Sequence, residues 1–278
     1  MRMALRSFEG KNMYYETFDI LGTAKLHAYL PSNSHLAQES KRHVRPAVIV
    51  LPGGGYAMTS DREAEPIALK FLSEGLSVFV LRYSVMTKFP QSLCEAAESI
   101  RLVRSHAEEW GIDPNKIAVC GFSAGGHLTG SIAVFWHHEF LQKLLNATGD
   151  DIRPNAAILS YPVISEDYIH EGSFRNLLFD MYDKKKSFVS IEKQVTENTP
   201  PCFIWHTYTD AVVPVENSLV LAKALADHKV PFELHIWPSG PHGLSLVTEE
   251  TGMVEDDPTV TLRASEWIHS AACWLREI

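Results

Sequence analysis

Cysteine is scarce in this chain: four in 278 residues, Cys94, Cys120, Cys202 and Cys273, with no CxxC pair among them. That excludes a disulfide framework and a zinc site built on paired cysteines. Three of the four stand in apolar runs, where cysteine behaves as a small hydrophobe, and all are read as free thiols. Positive charge is scarce too. Twenty-five Lys and Arg against 34 Asp and Glu leave a net charge of −9, a poor match to nucleic acid or to an anionic membrane surface. The clusters Lys41-Arg42-His43-Arg45 and Lys184-Lys185-Lys186 are short and read as solvated surface. No apolar run is long enough for a transmembrane helix. Met1–Gly10 lacks the apolar stretch of a signal peptide, so the expected location is cytoplasmic. Internal repeats and low-complexity linkers are also missing.

What remains is ordinary globular composition, 45% hydrophobic and 10% aromatic, in a chain long enough to bury roughly three quarters of its unfolded surface. One domain over residues 1–278 is expected. Apolar, β-rich runs alternate with helix-period runs. Tyr14–Ile20 and Ala24–Leu30 alternate around Leu21-Gly22 and read as a hairpin. Pro46–Leu51, Leu76–Tyr83, Lys116–Cys120, Ala156–Ser160, Pro201–His206 and Phe232–Trp237 read as strands covered on both faces. Between them, Pro66–Glu74, Ser92–Trp110, Ala124–Trp136 and Pro214–Asp227 carry helical periodicity, and a last helix starts at Asp257-Pro258. Such alternation predicts an α/β fold: a mostly parallel central sheet, antiparallel amino-terminal edge strands, and helices on both faces. Residues 162–200 break the rhythm. They hold no convincing strand and are too long for a simple connection. They read as a surface excursion or a small helical lid, with Tyr168, Phe174, Leu177, Leu178, Phe179 and Met181 as its apolar residues.

The peptide Gly121-Phe122-Ser123-Ala124-Gly125-Gly126 follows one of these strands and opens a helix. In that context G-x-S-x-G is a nucleophile elbow: the serine sits in a tight turn, and small residues on either side let neighbouring backbone approach. Its hydroxyl then projects at a helix amino terminus, where free N–H groups favour developing negative charge. A serine hydroxyl is a weak nucleophile and needs a base. In this architecture the acid and then the base follow the serine along the chain. Asp210 stands just after Pro201–His206. His242, in Ser239-Gly240-Pro241-His242-Gly243, follows Phe232–Trp237. These three are the candidate catalytic residues. His206 and His235 lie in or at the end of strands and read as partly buried strand histidines. His127, one turn into the helix, reads either as support for the site or as a helix-face residue. His137-His138 and Asp150-Asp151 lack metal-ligand spacing, and Asp180 and Glu216 lie off the expected strand end.

An acyl-transfer oxyanion also needs fixed donors. The Ala124 amide is one. Others are expected in Pro52-Gly53-Gly54-Gly55-Tyr56, after strand Pro46–Leu51, where Gly54 and Gly55 are the chosen donors. Tyr56 and Phe122 are assigned to the substrate pocket.

Taken together, the glycine loop and Ser123, Asp210 and His242 in that order resemble the α/β-hydrolase superfamily. The peptides at 52–56, Trp110-Gly111-Ile112-Asp113-Pro114 and 121–126 are similar to those of small bacterial acetylxylan-esterase-like and hormone-sensitive-lipase-like carboxylesterases. The resemblance spans roughly Tyr14 to Trp274. One departure is Pro52, where the lipase-like pattern usually has histidine; backbone donors survive that change, but a bracing histidine side chain does not. The resemblance implies a serine esterase acting on a small-molecule ester of a short acyl group, acetylated sugars or xylo-oligosaccharides included, with no metal or organic cofactor. A serine peptidase of the same fold, or a silent binding module on the scaffold, are the alternatives. The oligomeric state, a homo-oligomer included, stays open.

Overall fold

The computed structural model describes residues 13–32, 44–168, 171–252 and 259–278. The stretch Met1–Gly10, the basic residues Lys41-Arg42-His43 and the helix start at Asp257-Pro258 lie outside the described residues. Among the described residues, eight strands form one sheet: β1 (Tyr14–Asp19), β2 (Lys25–Leu30), β3 (Arg45–Leu51), β4 (Ser77–Arg82), β5 (Ile112–Phe122), β6 (Ala156–Ser160), β7 (Cys202–Thr207) and β8 (Phe232–Trp237). Their order is β1-β2-β4-β3-β5-β6-β7-β8. The hairpin β1–β2 and the β2–β4 pair are antiparallel, and every later pairing is parallel.

Successive strand side chains face opposite sides, and both sides are buried. In β5, Ile117 and Val119 enter one core while Ala118, Cys120 and Phe122 enter the other. Helices Gln91–Ser105, Ala124–Phe135 and Glu216–Asp227 cover the first face; Glu65–Ser73 and Trp267–Glu277 cover the second. Three boundaries differ from expectation by four residues or more; one is the last α-helix, which starts at Trp267 after a 3-10 turn over Leu262–Glu266. The helix expected over Ser92–Trp110 is interrupted at His106, whose ring shares the Leu102 carbonyl at 3.0 Å and stacks on Trp110. β5 starts at Ile112 rather than Lys116, because Ile112 pairs with Arg45 across a register shift in the β3–β5 ladder.

Residues 162–200 contain helices Glu171–Leu178 and Tyr182–Lys185, short 3-10 turns, and no strand among their described residues. Phe174, Leu177 and Leu178 are buried in the same core as the helix Ala124–Phe135. No helix among the described residues is long and apolar enough to cross a membrane.

Candidate active site

The carboxyl ends of β3, β5, β7 and β8 open onto one rim. They carry, in turn, the glycine loop, Ser123, Asp210 and His242. In an open α/β sheet this edge is where ligands bind. Ser123 joins β5 to the helix Ala124–Phe135 with φ 53° and ψ −116°, a strained conformation that positions its side chain at the rim. The turn closes only because its glycines lack side chains. A Cβ on Gly125 would lie 2.0 Å from the Leu51 carbonyl oxygen, inside the neighbouring strand.

Three side chains from distant parts of the chain meet here in one hydrogen-bonded line. Ser123 Oγ lies 2.8 Å from His242 Nε2, and His242 Nδ1 lies 2.7 Å from Asp210 Oδ2. Asp210 is buried, and its other oxygen accepts the backbone amides of Val212 and Val213, both at 2.9 Å. It also faces a second histidine. His206 Nε2 stands 3.3 Å from Asp210 Oδ2 and donates to the Val213 carbonyl at 3.0 Å, while its Nδ1 meets the Ser218 hydroxyl at 2.8 Å. Burial alone would raise the Asp210 pKa. The bonds from His206, His242 and the Val213 amide outweigh burial and hold the carboxyl well below the usual carboxylate range. A charged acceptor beside Nδ1 fixes the imidazole tautomer that leaves Nε2 free to receive the serine proton.

The glycine loop supplies amides at the same rim. Gly54 has φ +125° and Gly55 φ +63°, values that leave the chain free to turn its N–H groups only because no Cβ is present. The Gly53 amide is taken by Glu63 Oε2 at 2.8 Å. The amides of Gly54, Gly55 and Ala124 donate to no acceptor among the described residues. Further bonds fix the loop's other groups: Tyr83 Oη donates to the Pro52 carbonyl at 2.7 Å, and Asn176 Nδ2, from the 162–200 segment, donates to the Gly55 carbonyl at 2.8 Å.

The pocket assignments of Tyr56 and Phe122 need correction. Phe122 is fully buried and packs on Tyr161 and Trp267. Alternation along β5 sends its side chain into the second core. The Tyr56 side chain is also buried, and its hydroxyl meets His127 Nδ1 at 2.7 Å. His127 Nε2 donates to the Val189 carbonyl at 2.8 Å. Burial lowers the His127 pKa to about 4, so the ring is neutral and links the glycine loop, the helix after Ser123 and the 162–200 segment. His235 sits on the strand beside Glu233, and Asp180 pairs with Lys88 on the surface, both away from Ser123. Glu216 opens the helix Glu216–Asp227. Among the described residues no cluster of three His, Cys, Asp or Glu is arranged to hold a metal.

Two residues at the site, Glu63 and Tyr161, have no signal in the sequence, and a third does more than its position suggests. His206 is buried in β7, as expected of a strand histidine, and also faces Asp210; the spacing His-x-x-x-Asp across a strand end is the signal for that second role. Glu63 and Tyr161 carried none: they reach the site through tertiary contacts alone.

Residues 33–225 match the BD-FAE family. Endo-1,4-beta-xylanase B of Butyrivibrio fibrisolvens is 42% identical over 74% of this chain and 33% of its own length. The acetylxylan esterase of Xylanibacter ruminicola is 32% identical over 82% of this chain and 45% of its own. The chain therefore spans less than half the length of these curated relatives. Among solved structures, the acetyl ester-xyloside bifunctional hydrolase of Caldicellulosiruptor lactoaceticus is 37% identical, superposes with a TM-score of 0.74, and covers 94% of this chain and 90% of its own.

Proposed function

The chain belongs to the BD-FAE family and has the α/β-hydrolase fold, and from that premise we propose that it is a carboxylic ester hydrolase using Ser123, His242 and Asp210 on short-chain acyl esters, acetyl groups of xylo-oligosaccharides among them. The observation that carries this reading is the unbroken Ser123–His242–Asp210 line, at 2.8 and 2.7 Å, beside three unclaimed amides.

In this mechanism His242 Nε2 takes the Ser123 proton as Oγ attacks the ester carbonyl. The Gly54, Gly55 and Ala124 amides receive the oxyanion as it forms. Asp210 stabilises the imidazolium and keeps its orientation. His242 then protonates the departing alcohol oxygen, leaving an acyl-enzyme. Water, deprotonated by His242, attacks that ester, and the acid leaves as Ser123 regains its proton.

Two observations support a small acyl group. Phe174, Leu177 and Leu178 fill the interior of the 162–200 segment, and Phe174 packs against His127 at 4.9 Å. That segment is assigned as a packed lid forming one wall of the pocket. The acetyl ester is supported by the names of two relatives, an acetylxylan esterase and an acetyl ester-xyloside bifunctional hydrolase. Four free thiols fit a reducing, cytoplasmic setting.

A panel of p-nitrophenyl esters from acetyl to decanoyl, with acetylated xylo-oligosaccharides alongside, tests the substrate. Highest kcat/KM at acetyl or propionyl is expected; a maximum at octanoyl or longer overturns the sugar-ester reading. A fluorophosphonate is expected to label one serine per chain, and failure to label the folded protein overturns the acyl-enzyme.

A further inference from the structure

Glu63 is buried, 3% exposed, and the mechanism above does not use it. It closes a single 3-10 turn, Asp61–Glu63, beside the glycine loop. Its Oε2 accepts the Gly53 amide at 2.8 Å and its Oε1 accepts the Tyr161 hydroxyl at 2.6 Å. The phenol oxygen of Tyr161 in turn accepts the Ser245 amide at 3.0 Å, three residues beyond His242. Ser245 Oγ donates to the Arg62 carbonyl at 2.6 Å and closes the circuit. The Tyr161 ring also meets the His242 ring edge-on, centroids 5.1 Å apart. Among the described residues no Lys, Arg or His forms an ion pair with this carboxylate.

We propose that Glu63 is a positioning residue, which ties the oxyanion loop at Gly53 to the base loop at Ser245 through Tyr161 and so fixes the donors relative to His242. The inference rests on the ester-hydrolase reading and names what braces its glycine loop, where Pro52 stands. Two donors point at Glu63, one backbone and one phenolic, and a carboxylate accepts both. A glutamine amide that accepts from Gly53 turns its NH₂ toward Tyr161, whose hydroxyl then loses the acceptor for its proton and must turn away. The close fit leaves no slack: a Cβ on Gly53 would lie 2.7 Å from Glu63 Oε2 and 2.8 Å from the Phe122 carbonyl oxygen. Loosening this bond frees the peptide that precedes Gly54, and donors displaced by an ångström lose much of their hold on the transition state while substrate still binds.

The test compares Glu63→Gln and Tyr161→Phe with wild type, on p-nitrophenyl acetate, with a trifluoromethyl ketone as a probe whose hemiketal oxygen needs the donors. Glu63→Gln is expected to lower kcat about 10- to 100-fold, with KM changed less than about threefold and the ketone Ki raised in proportion to the kcat loss. Tyr161→Phe is expected to cost about three- to tenfold, and the double variant to be no slower than Glu63→Gln alone, since both break one circuit. Full kcat in Glu63→Gln, a loss confined to KM, or additive effects overturns the proposal. If Glu63→Gln does not fold, Tyr161→Phe decides by the same split between kcat and KM. An inactive wild type overturns the esterase reading instead. The tether is then judged by NMR: the Gly53 amide proton is expected downfield in wild type and shifted upfield in Glu63→Gln, and an unmoved resonance overturns it.

Discussion

Two glycine loops meet at the rim; neither has room for a side chain, but they are held in different ways. In the loop around Ser123, glycine makes room: Gly125 has no space for a Cβ, which would lie 2.0 Å from the backbone of β3. In the loop after β3, glycine supplies conformation as well as room: Gly54 adopts φ +125°, its Cβ would lie 2.4 Å from the Met58 carbonyl oxygen, and the loop is held from outside by Glu63, Tyr83 and Asn176. The first loop is fixed by packing and carries the proposed attacking atom. The second is fixed by hydrogen bonds and carries the amides proposed to receive the oxyanion. Damage to the first is therefore expected to appear as lost stability, and damage to the second as lost rate.

The largest effect is expected at Gly125→Ala. Its Cβ has only backbone to displace, so overpacking should cost at least about 3 kcal/mol and lower Tm by about 6–12 °C in a domain of this size. Calorimetry measures it, and a Tm within 2 °C of wild type would erase the contrast between the loops. Gly54→Ala is expected to reverse the pattern. The alanine keeps its N–H, but a Cβ 2.4 Å from the Met58 carbonyl oxygen must shift it; misaiming one donor should reduce kcat by about 10²–10³, with a Tm loss no larger than that of Gly125→Ala.

His127 bridges the two regions, and its neutrality gives them a shared acid sensitivity. In the unfolded chain its pKa is the ordinary 6.5, whereas burial lowers it to about 4 in the fold. As pH falls through 6.5 the unfolded state takes up a proton that the folded state refuses until about 4, so stability declines across that window. By pH 5 the loss from this group is about 2 kcal/mol. Tm measured at pH 7.5 and 5.0 should fall less in His127→Gln than in wild type; equal falls would contradict the assignment. The smallest effect is expected from Tyr83→Phe, which removes the bond to the Pro52 carbonyl and leaves that acceptor buried, for about 1 kcal/mol. A kcat loss larger than that of Gly54→Ala would invert the ranking.

Much of this was legible in the sequence. The strands between β3 and β8 were visible as apolar runs because both faces are buried, and the turn after each run marked where Ser123, Asp210 and His242 stand. Helix ends were visible where a glycine stops them, as at Gly111. What stayed hidden depends on which way a side chain points. Phe122 sits next to Ser123 in sequence, yet strand alternation turns it into the second core. Tyr56 follows the glycines, yet its hydroxyl is spent on His127. Glu63 and Tyr161 are separated by 98 residues and meet only across the sheet. No local pattern encodes that contact.

The proposed mechanism makes Ser123 the carrier of the acyl group. The most direct measurement is the steady-state and burst kinetics of Ser123→Ala against wild type on the best short-chain ester, with intact-protein mass spectrometry after a fluorophosphonate. A rate loss of about 10⁴–10⁶ is expected, with no burst, and an adduct in wild type alone with an unchanged Tm. A variant that keeps more than a tenth of the wild-type rate, or that still takes up the probe, would contradict it.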